Sequence, residues 1–397
     1  MSALKETELA RKVKSLVDTY VSEVSDSSIC QQPTVSVAIS TFNHKQYIQQ
    51  SIESVLVQET SFPYEIVISD DCSTDGTTDI LRKYQSRYPD KIRLVIAKRN
   101  LWQALPNMAT SPTCNIAILG ACRGKYIALC EGDDYWTNPL KLQKQVDFLE
   151  KNTKFSICFH KIKILKNGEF RDAGSAFAPP ATVTNIVDLA CHSNYIHTAS
   201  CVFRNNIHQE FFGPSHHLAP AGDYYLHMMN AKYGDIFYID EVMSVYRVHE
   251  NSVWSSKTSV YQQQKTLETY ICILSDLDDN FSEAIQMLEK NIYYYIEKIY
   301  RYPIVNENWH ISEIHASYIN SVVKILFEQT QSQLQQTQSQ LQQTQSQLQQ
   351  TQSQLHCKQV EYQDARSMIL AMESSKFWKL RKVWFYIKTT IKRKMGE

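Results

Sequence analysis

Three carboxylates sit in the stretch EGDDYW (131–136), directly after the apolar run KYIALC (125–130). Acids crowded at a strand end repel one another unless a cation or a solvated turn relieves them, so a metal site and a bland turn are the two readings. A second acidic run, ISDDCSTDGT (68–77), gathers Asp70, Asp71 and Asp75 with Ser73 and Thr74. On its own it also reads as an Asx-rich turn in which Gly76 relaxes the backbone ahead of a helix. A third polar loop, TFN, supplies Thr41, Phe42 and Asn43.

The elements around these loops alternate in period. From Pro33 onward, VSVAIS, EIVISDD, IRLVIA and KYIALC read as short apolar strands, and KQYIQQSIESVLVQ and TTDILRKYQSRY as the helices between them. That is βαβ punctuation, which predicts an α/β fold with a mainly parallel sheet flanked by helices. In such a sheet the loops after the carboxyl ends of the strands face one crevice, so the three polar loops should meet. No GxGxxG follows the first strand and no GxxxxGK[ST] occurs, so neither a dinucleotide fingerprint nor a Walker loop is present. Phosphates in this crevice would then be neutralised by a divalent cation held on carboxylates.

The runs VSVAISTFNHKQYIQQSIESVLVQ, EIVISDDCSTDGTTDIL and RGKYIALCEGDDYWTNPLKLQKQVDFLE, in that order, resemble the family 2 glycosyltransferases over about residues 33–255. The resemblance implies the GT-A fold and inverting transfer of a sugar from a nucleotide donor. Carried over residue by residue, it implies that Thr41, Phe42 and Asn43 line the nucleotide-sugar site, with Phe42 stacking on the base. Asp71 would accept the imide N–H of a uridine-type donor, which uracil carries and cytosine lacks. EGDDYW matches the family's DxD position. Asp133 is implied as the ligand of a Mg²⁺ or Mn²⁺ on the donor diphosphate, and Glu131, standing where Asp is usual, has an arm long enough to act through water. AGDYYLHMMNAKYGD matches the segment that carries the base, which nominates Asp223, although Gly222 replaces the usual acidic neighbour; an N-cap is the other role for such an Asp. YRVHENSVW matches the segment whose His approaches the metal or diphosphate, which nominates His249.

Composition bounds the rest. The 397 residues are 43% hydrophobic, with 41 Lys and Arg against 41 Asp and Glu, so a large core is available and no global field recruits nucleic acid. The ten cysteines form no CxxC pair and several lie in apolar runs, which fits a reducing, cytoplasmic compartment. There is no basic-then-apolar leader and no run of about 18 apolar residues, so any membrane contact is expected on the inner face only.

The organisation read from these patterns is an amphipathic helix at 1–32, the transferase domain at 33–255, a helical region at 256–328, a Gln-rich coiled coil at 329–357 and a basic amphipathic tail at 358–397. In the coil, QSQLQQT recurs every seven residues, with Leu334, Leu341, Leu348 and Leu355 alternating with Thr337, Thr344 and Thr351. That is a heptad seam for homo-oligomers, weak because half of it is Thr; a Gln-rich linker is the alternative. In the tail, Phe377, Leu380, Trp384, Ile387 and Ile391 share one helical face, and eight Lys or Arg lie between Lys376 and Lys394 with no acid. Such a helix suits the interface of an anionic membrane. The expected function is transfer to a glycan or lipid-linked acceptor in cell-surface polysaccharide synthesis, and the alternative is an inactive sugar-transfer domain working as a membrane-associated coiled-coil scaffold.

Overall fold

The computed structural model describes residues 2–104, 113–206, 215–252, 254–301 and 313–394. The predicted helical region is therefore described only in part, since 302–312 lies outside these residues. The chain divides into a unit over Met1–His315 and a second over Ala316–Glu397.

The strands of the first unit are β1 (Val21–Val24), β2 (Val35–Thr41), β3 (Tyr64–Asp70), β4 (Ile92–Ala97), β5 (Tyr126–Glu131), β6 (Tyr135–Trp136), β7 (Phe155–Lys166), β8 (Glu169–Asp172), β9 (Val183–Thr184), β10 (Val202–Arg204) and β11 (Asp235–Val248). Its helices are α1 (Ser2–Tyr20), α2 (Ile48–Leu56), α3 (Thr77–Arg87), the short α4 (Leu101–Ala104) and α5 (Ile118–Ala121), α6 (Lys141–Lys151), α7 (Ile186–His192), α8 (Gly222–Ala231), α9 (Ser259–Asp276) and α10 (Ser282–Arg301). All strands join one sheet in the order β1-β4-β3-β2-β5-β10-β7-β11-β6, with β8 added on β7 and β9 on β11.

Strands β3 and β4 are buried along their whole length, as continuous apolar runs covered on both faces must be. In the core on the sheet, Ile48, Ile52 and Val55 of α2 recur at helical spacing and are fully buried, and Leu81 of α3 and Leu142, Val146 and Leu149 of α6 join the same cluster. Because β4, β3, β2 and β5 run parallel, their carboxyl ends finish on one edge; the register sets Thr41 against Asp70 and Ser40 against Glu131. The crevice expected from the sequence is thereby built.

The sheet as a whole is mixed, which corrects the expectation of a mainly parallel one. β10 runs antiparallel between β5 and β7, and β1, β6, β8 and β9 also pair antiparallel. These strands are two to four residues long, too short for any period to register in the sequence. The N-terminal segment likewise holds more than its amphipathic helix. Val13 of α1 is buried with Leu16, Val17 and Ile116, and the chain then turns into the edge strand β1.

A buried ionic network ties that edge to the sheet. Glu65, with no exposed surface, accepts from Ser36 Oγ (2.7 Å), Arg93 Nη1 (3.0 Å) and Arg123 Nη2 (2.6 Å), while Arg93 Nη2 reaches Glu23 at 2.7 Å. Burial opposes the Glu65 charge, but the hydrogen bonds from Arg123 and Ser36 and the Arg93 charge outweigh it and hold its pKa below the ordinary value.

The second unit consists of two helices. α11 (Glu313–Ser374) passes through position 357 without a break, so the first part of the predicted tail continues the predicted coil, and α12 (Lys376–Lys394) follows a bend at Ser375. Leu334, Leu341, Leu348 and Leu355 stand equally exposed along α11. Between them Thr344 and Thr351 donate to the carbonyls of Gln340 and Gln347, each at 2.9 Å, which satisfies the hydroxyl within the helix. Phe377, Leu380, Trp384, Ile387 and Ile391 of α12 are exposed too. Among the described residues, no helix is long and apolar enough to cross a membrane.

Candidate active site

The first two loops are stitched together by backbone. Asn43, in the left-handed region at φ 55°, donates its N–H to Ser73 Oγ (2.8 Å) and accepts from the Thr74 N–H through Oδ1 (2.8 Å), while the Lys45 N–H reaches Asp75 Oδ2 at 2.9 Å. Asp70 is spent on the turn itself, accepting from Ser73 and Thr78. Asp71 is buried at the edge of the cleft, and its carboxylate accepts the backbone N–H groups of Leu101 (3.1 Å) and Trp102 (3.4 Å). Phe42 stays half-buried beside these loops. Asp70 and Asp75 thus build the turn, as the Asx-rich pattern suggests, while Asp71 stands apart from it on the Leu101 and Trp102 amides.

The third loop begins with Glu131 at the end of β5. Its Gly132 donates to the Ser40 carbonyl at 2.9 Å and presses so close to the second strand's end that a Cβ there would meet Thr41 Oγ1 and His44 Nδ1 at 2.8 Å. Both of those atoms are buried without a hydrogen-bond partner. Asp133 Oδ2 lies 3.0 Å from His249 Nε2 and 3.9 Å from His44 Nε2. Burial opposes its charge, but the bond from His249 and the neighbouring His44 outweigh it and hold the Asp133 pKa below the ordinary value. Asp134 points the other way. It is buried, accepts the Arg247 N–H at 2.8 Å, and burial together with the Asp133 charge raises its pKa well above the usual carboxylate range. Burial, then Asp133 and then Asp223 push Glu131 up to about 8.

That coupling brings the fourth motif into the same cleft. Asp223 is the second residue of α8, whose N-cap position is taken by Ala221, so Asp223 is not the cap. Its Oδ2 accepts from Asn194 Nδ2 (3.0 Å) and Thr198 Oγ1 (3.4 Å), and its Oδ1 from the Tyr224 N–H (2.8 Å). Burial raises its pKa above the ordinary value while these donors pull the other way. A carboxylate that is partly desolvated, oriented and ready to take a proton is what general-base chemistry needs.

Thr41, Phe42, Asn43, Asp71, Glu131, Asp133, Asp223 and His249 thus lie on the loops that meet at one edge of the sheet or on the elements that face it. The sequence reading passed over His44, although it lies in the same loop as Phe42. It also passed over Asn194, Thr198 and the buried His197, whose Nε2 is 3.9 Å from Asp134 Oδ2. Among the described residues, no three His, Cys, Asp or Glu side chains are gathered as a ready metal cage. The donor set nonetheless fits a hard divalent cation that keeps other oxygen ligands: one ionised carboxylate and one imidazole converge, with unpartnered polar atoms beside them.

Residues 36–212 match the model of the family described as glycosyl transferase family 2. An uncharacterized protein of Mycobacterium tuberculosis is 36% identical over 228 residues, a match covering 56% of this chain and 61% of that protein. The Escherichia coli UDP-Glc:alpha-D-GlcNAc-diphosphoundecaprenol beta-1,3-glucosyltransferase WfaP is 35% identical over 121 residues, 30% of this chain and 43% of that enzyme. The chain thus spans less than two thirds of the length of either relative. Among solved structures, S. aureus TarS 1-349 in complex with UDP-GlcNAc superposes with a TM-score of 0.50 at 18% identity, over 73% of this chain and 79% of that one, and so shares the fold. This chain therefore carries a glycosyl transferase family 2 domain, over residues 36–212.

Proposed function

We propose that this protein is an inverting glycosyltransferase that moves a sugar from a uridine-type nucleotide-diphosphate donor to a glycan or lipid-linked acceptor in cell-surface polysaccharide synthesis. The observation that carries the reading is the convergence of a nucleotide loop, an acidic loop with its histidine, and a buried carboxylate on one edge of the sheet. Phe42 offers a face to the base and Asp71 an acceptor to its imide N–H. Asp133 and His249 would hold a Mg²⁺ or Mn²⁺ there, and Glu131 would act on it through water. When bound, such an ion supplies Lewis-acid stabilisation of the departing diphosphate. Asp223 takes the proton of the acceptor hydroxyl as that oxygen bonds to the anomeric carbon and the carbon–oxygen bond to the diphosphate breaks, its electron pair leaving with the diphosphate. The name of the E. coli relative, which includes both a UDP-sugar and a diphosphate-linked lipid acceptor, supports the donor and acceptor classes.

A thermal-shift screen of nucleotide sugars with and without Mn²⁺ tests this, because a ligand that binds only the native state raises apparent stability by mass action. UDP-sugars should stabilise the chain most, and more so with Mn²⁺. Equal stabilisation by all four nucleoside diphosphates would overturn the uridine assignment.

The same reading places the protein in the cytoplasm, self-associated through the Leu and Thr seam of α11 and held on the inner membrane face by α12. Each Lys or Arg near an anionic surface contributes about 1 kcal/mol, so binding should be reversible and weakened by salt. Removing residues 376–394 should abolish pelleting with anionic vesicles, and deleting 329–355 should lower the oligomeric state while leaving transfer to a soluble acceptor intact. Equal pelleting on neutral vesicles, or a full-length chain that is monomeric at micromolar concentration, would refute the respective part.

A further inference from the structure

The carboxylate of Asp223 is held by a chain of polar groups that runs from partly buried Asn194 to fully buried His227 and Cys201. Because a carboxylate only accepts, the amide nitrogen of Asn194 must be the atom that faces Asp223 Oδ2 at 3.0 Å. The Asn194 Oδ1 then faces His227 Nδ1 at 3.1 Å, so that ring nitrogen carries the hydrogen; the same Oδ1 also accepts the Ile196 N–H at 3.4 Å. His227 Nε2 is left as an acceptor, and Cys201 Sγ lies 3.5 Å from it. His227 has no exposed surface, and burial lowers its pKa to about 3, so it stays neutral and its tautomer is fixed by its neighbours.

We propose that Asn194, oriented by His227, is the positioning residue of Asp223: it locks the plane of the carboxylate and keeps it ionised for the approaching acceptor hydroxyl. This rests on reading Asp223 as the base. The amide can serve only in one orientation. If His227 did not donate to Oδ1, the amide would be free to flip and turn its oxygen on the carboxylate, where two acceptors repel. On Oδ2, Thr198 Oγ1 at 3.4 Å is the longer, weaker second donor, and the Tyr224 N–H at 2.8 Å holds Oδ1, so losing Asn194 weakens the arrangement without abolishing it. Among the described residues, the Asp223 charge acts on Glu131 at the end of β5, Cys201 before β10 and Tyr246 on β11, so these titratable groups lie around it. Glu131 is an acid and Cys201 and Tyr246 have raised pKa values, so none supplies a cation to hold Asp223 ionised in place of the amide.

The test is steady-state kinetics of the full chain across pH. Asn194→Ala should lower kcat about tenfold with the donor KM unchanged and should move the acid limb of kcat to higher pH, because the anion has lost a donor. His227→Phe, which leaves the carboxylate's own donors in place, should move both in the same direction by less. In an Asp223→Asn background, Asn194→Ala should cost nothing more, whereas a merely structural role would cost the same again. Should the alanine variant not fold, Asn194→Ser, which keeps a short donor, must fall between wild type and the predicted loss. If Asp223→Asn is inactive while Asn194→Ala leaves kcat and the acid limb where they were, or if the two losses add, Asn194 is not the positioning residue. If Asp223→Asn itself keeps turnover, the base reading fails first.

Discussion

Asp133→Ala is expected to remove transfer, lowering kcat/KM by at least about three orders of magnitude, ~4 kcal/mol of transition-state stabilisation. It should also erase the Mn²⁺-dependent part of UDP stabilisation and leave the part without Mn²⁺ as it was. The reason lies in the division of labour in EGDDYW. Glu131 is pushed up to about 8 by burial and by its acidic neighbours, and Asp134 is buried on the Arg247 backbone with its pKa raised, so neither matches Asp133 as an anion facing the cleft. Asp133 is the member kept ionised, with the His249 bond and the nearby His44 outweighing the cost of burial. A metal ion needs that anion. The ligand-free Asp133→Ala chain should still fold, because Asp133 lies on a loop at the cleft and not in the core. An active Asp133→Ala enzyme, or wild-type activity that survives EDTA, would sink the metal role.

Replacing the base should act on a different quantity. Asp223→Asn preserves size and most hydrogen bonding but cannot take a proton, so kcat should fall by about two to four orders of magnitude with the donor KM little changed. The pH profile gives the same group a second signature. Burial raises the Asp223 pKa, and a base works only when deprotonated, so wild-type kcat should fall as pH drops through that raised value. The acid limb should therefore lie above about 4, the range of an unperturbed Asp. A loss confined to donor binding would move Asp223 out of the base role and into the nucleotide site.

Much of the fold could be read locally. The apolar runs of β2, β3, β4 and β5 declare themselves because parallel strands covered on both faces must be apolar throughout, and α2 and α6 because one face of each repeats at helical spacing. The short strands β1, β6, β9 and β10 carry too few residues for any period to appear. They pair because the strands around them leave an open edge or a gap. The helix of α11 was legible for the same reason as the others, whereas its continuation to Ser374 was not, since the heptad composition changes at 357 while the backbone does not.

The chemistry divides along the same line. By itself the sequence determined which loops are polar, that their strands run the same way, and hence that Thr41, Asp71 and Glu131 come to one edge. Tertiary structure alone decided which carboxylate stays charged. Asp133 and Asp134 are adjacent and identical in type, yet one meets His249 from 116 residues away and is held ionised, while the other is buried against the backbone of Arg247 and its pKa is driven up. Asp223 likewise differs from an ordinary helix-start Asp through its burial and through Asn194 and Thr198, 29 and 25 residues earlier in the chain. Periodicity follows from covalent geometry that every short segment carries within itself, but a pKa depends on desolvation and on charges a few ångströms away, and those neighbours are chosen by the path of the whole chain.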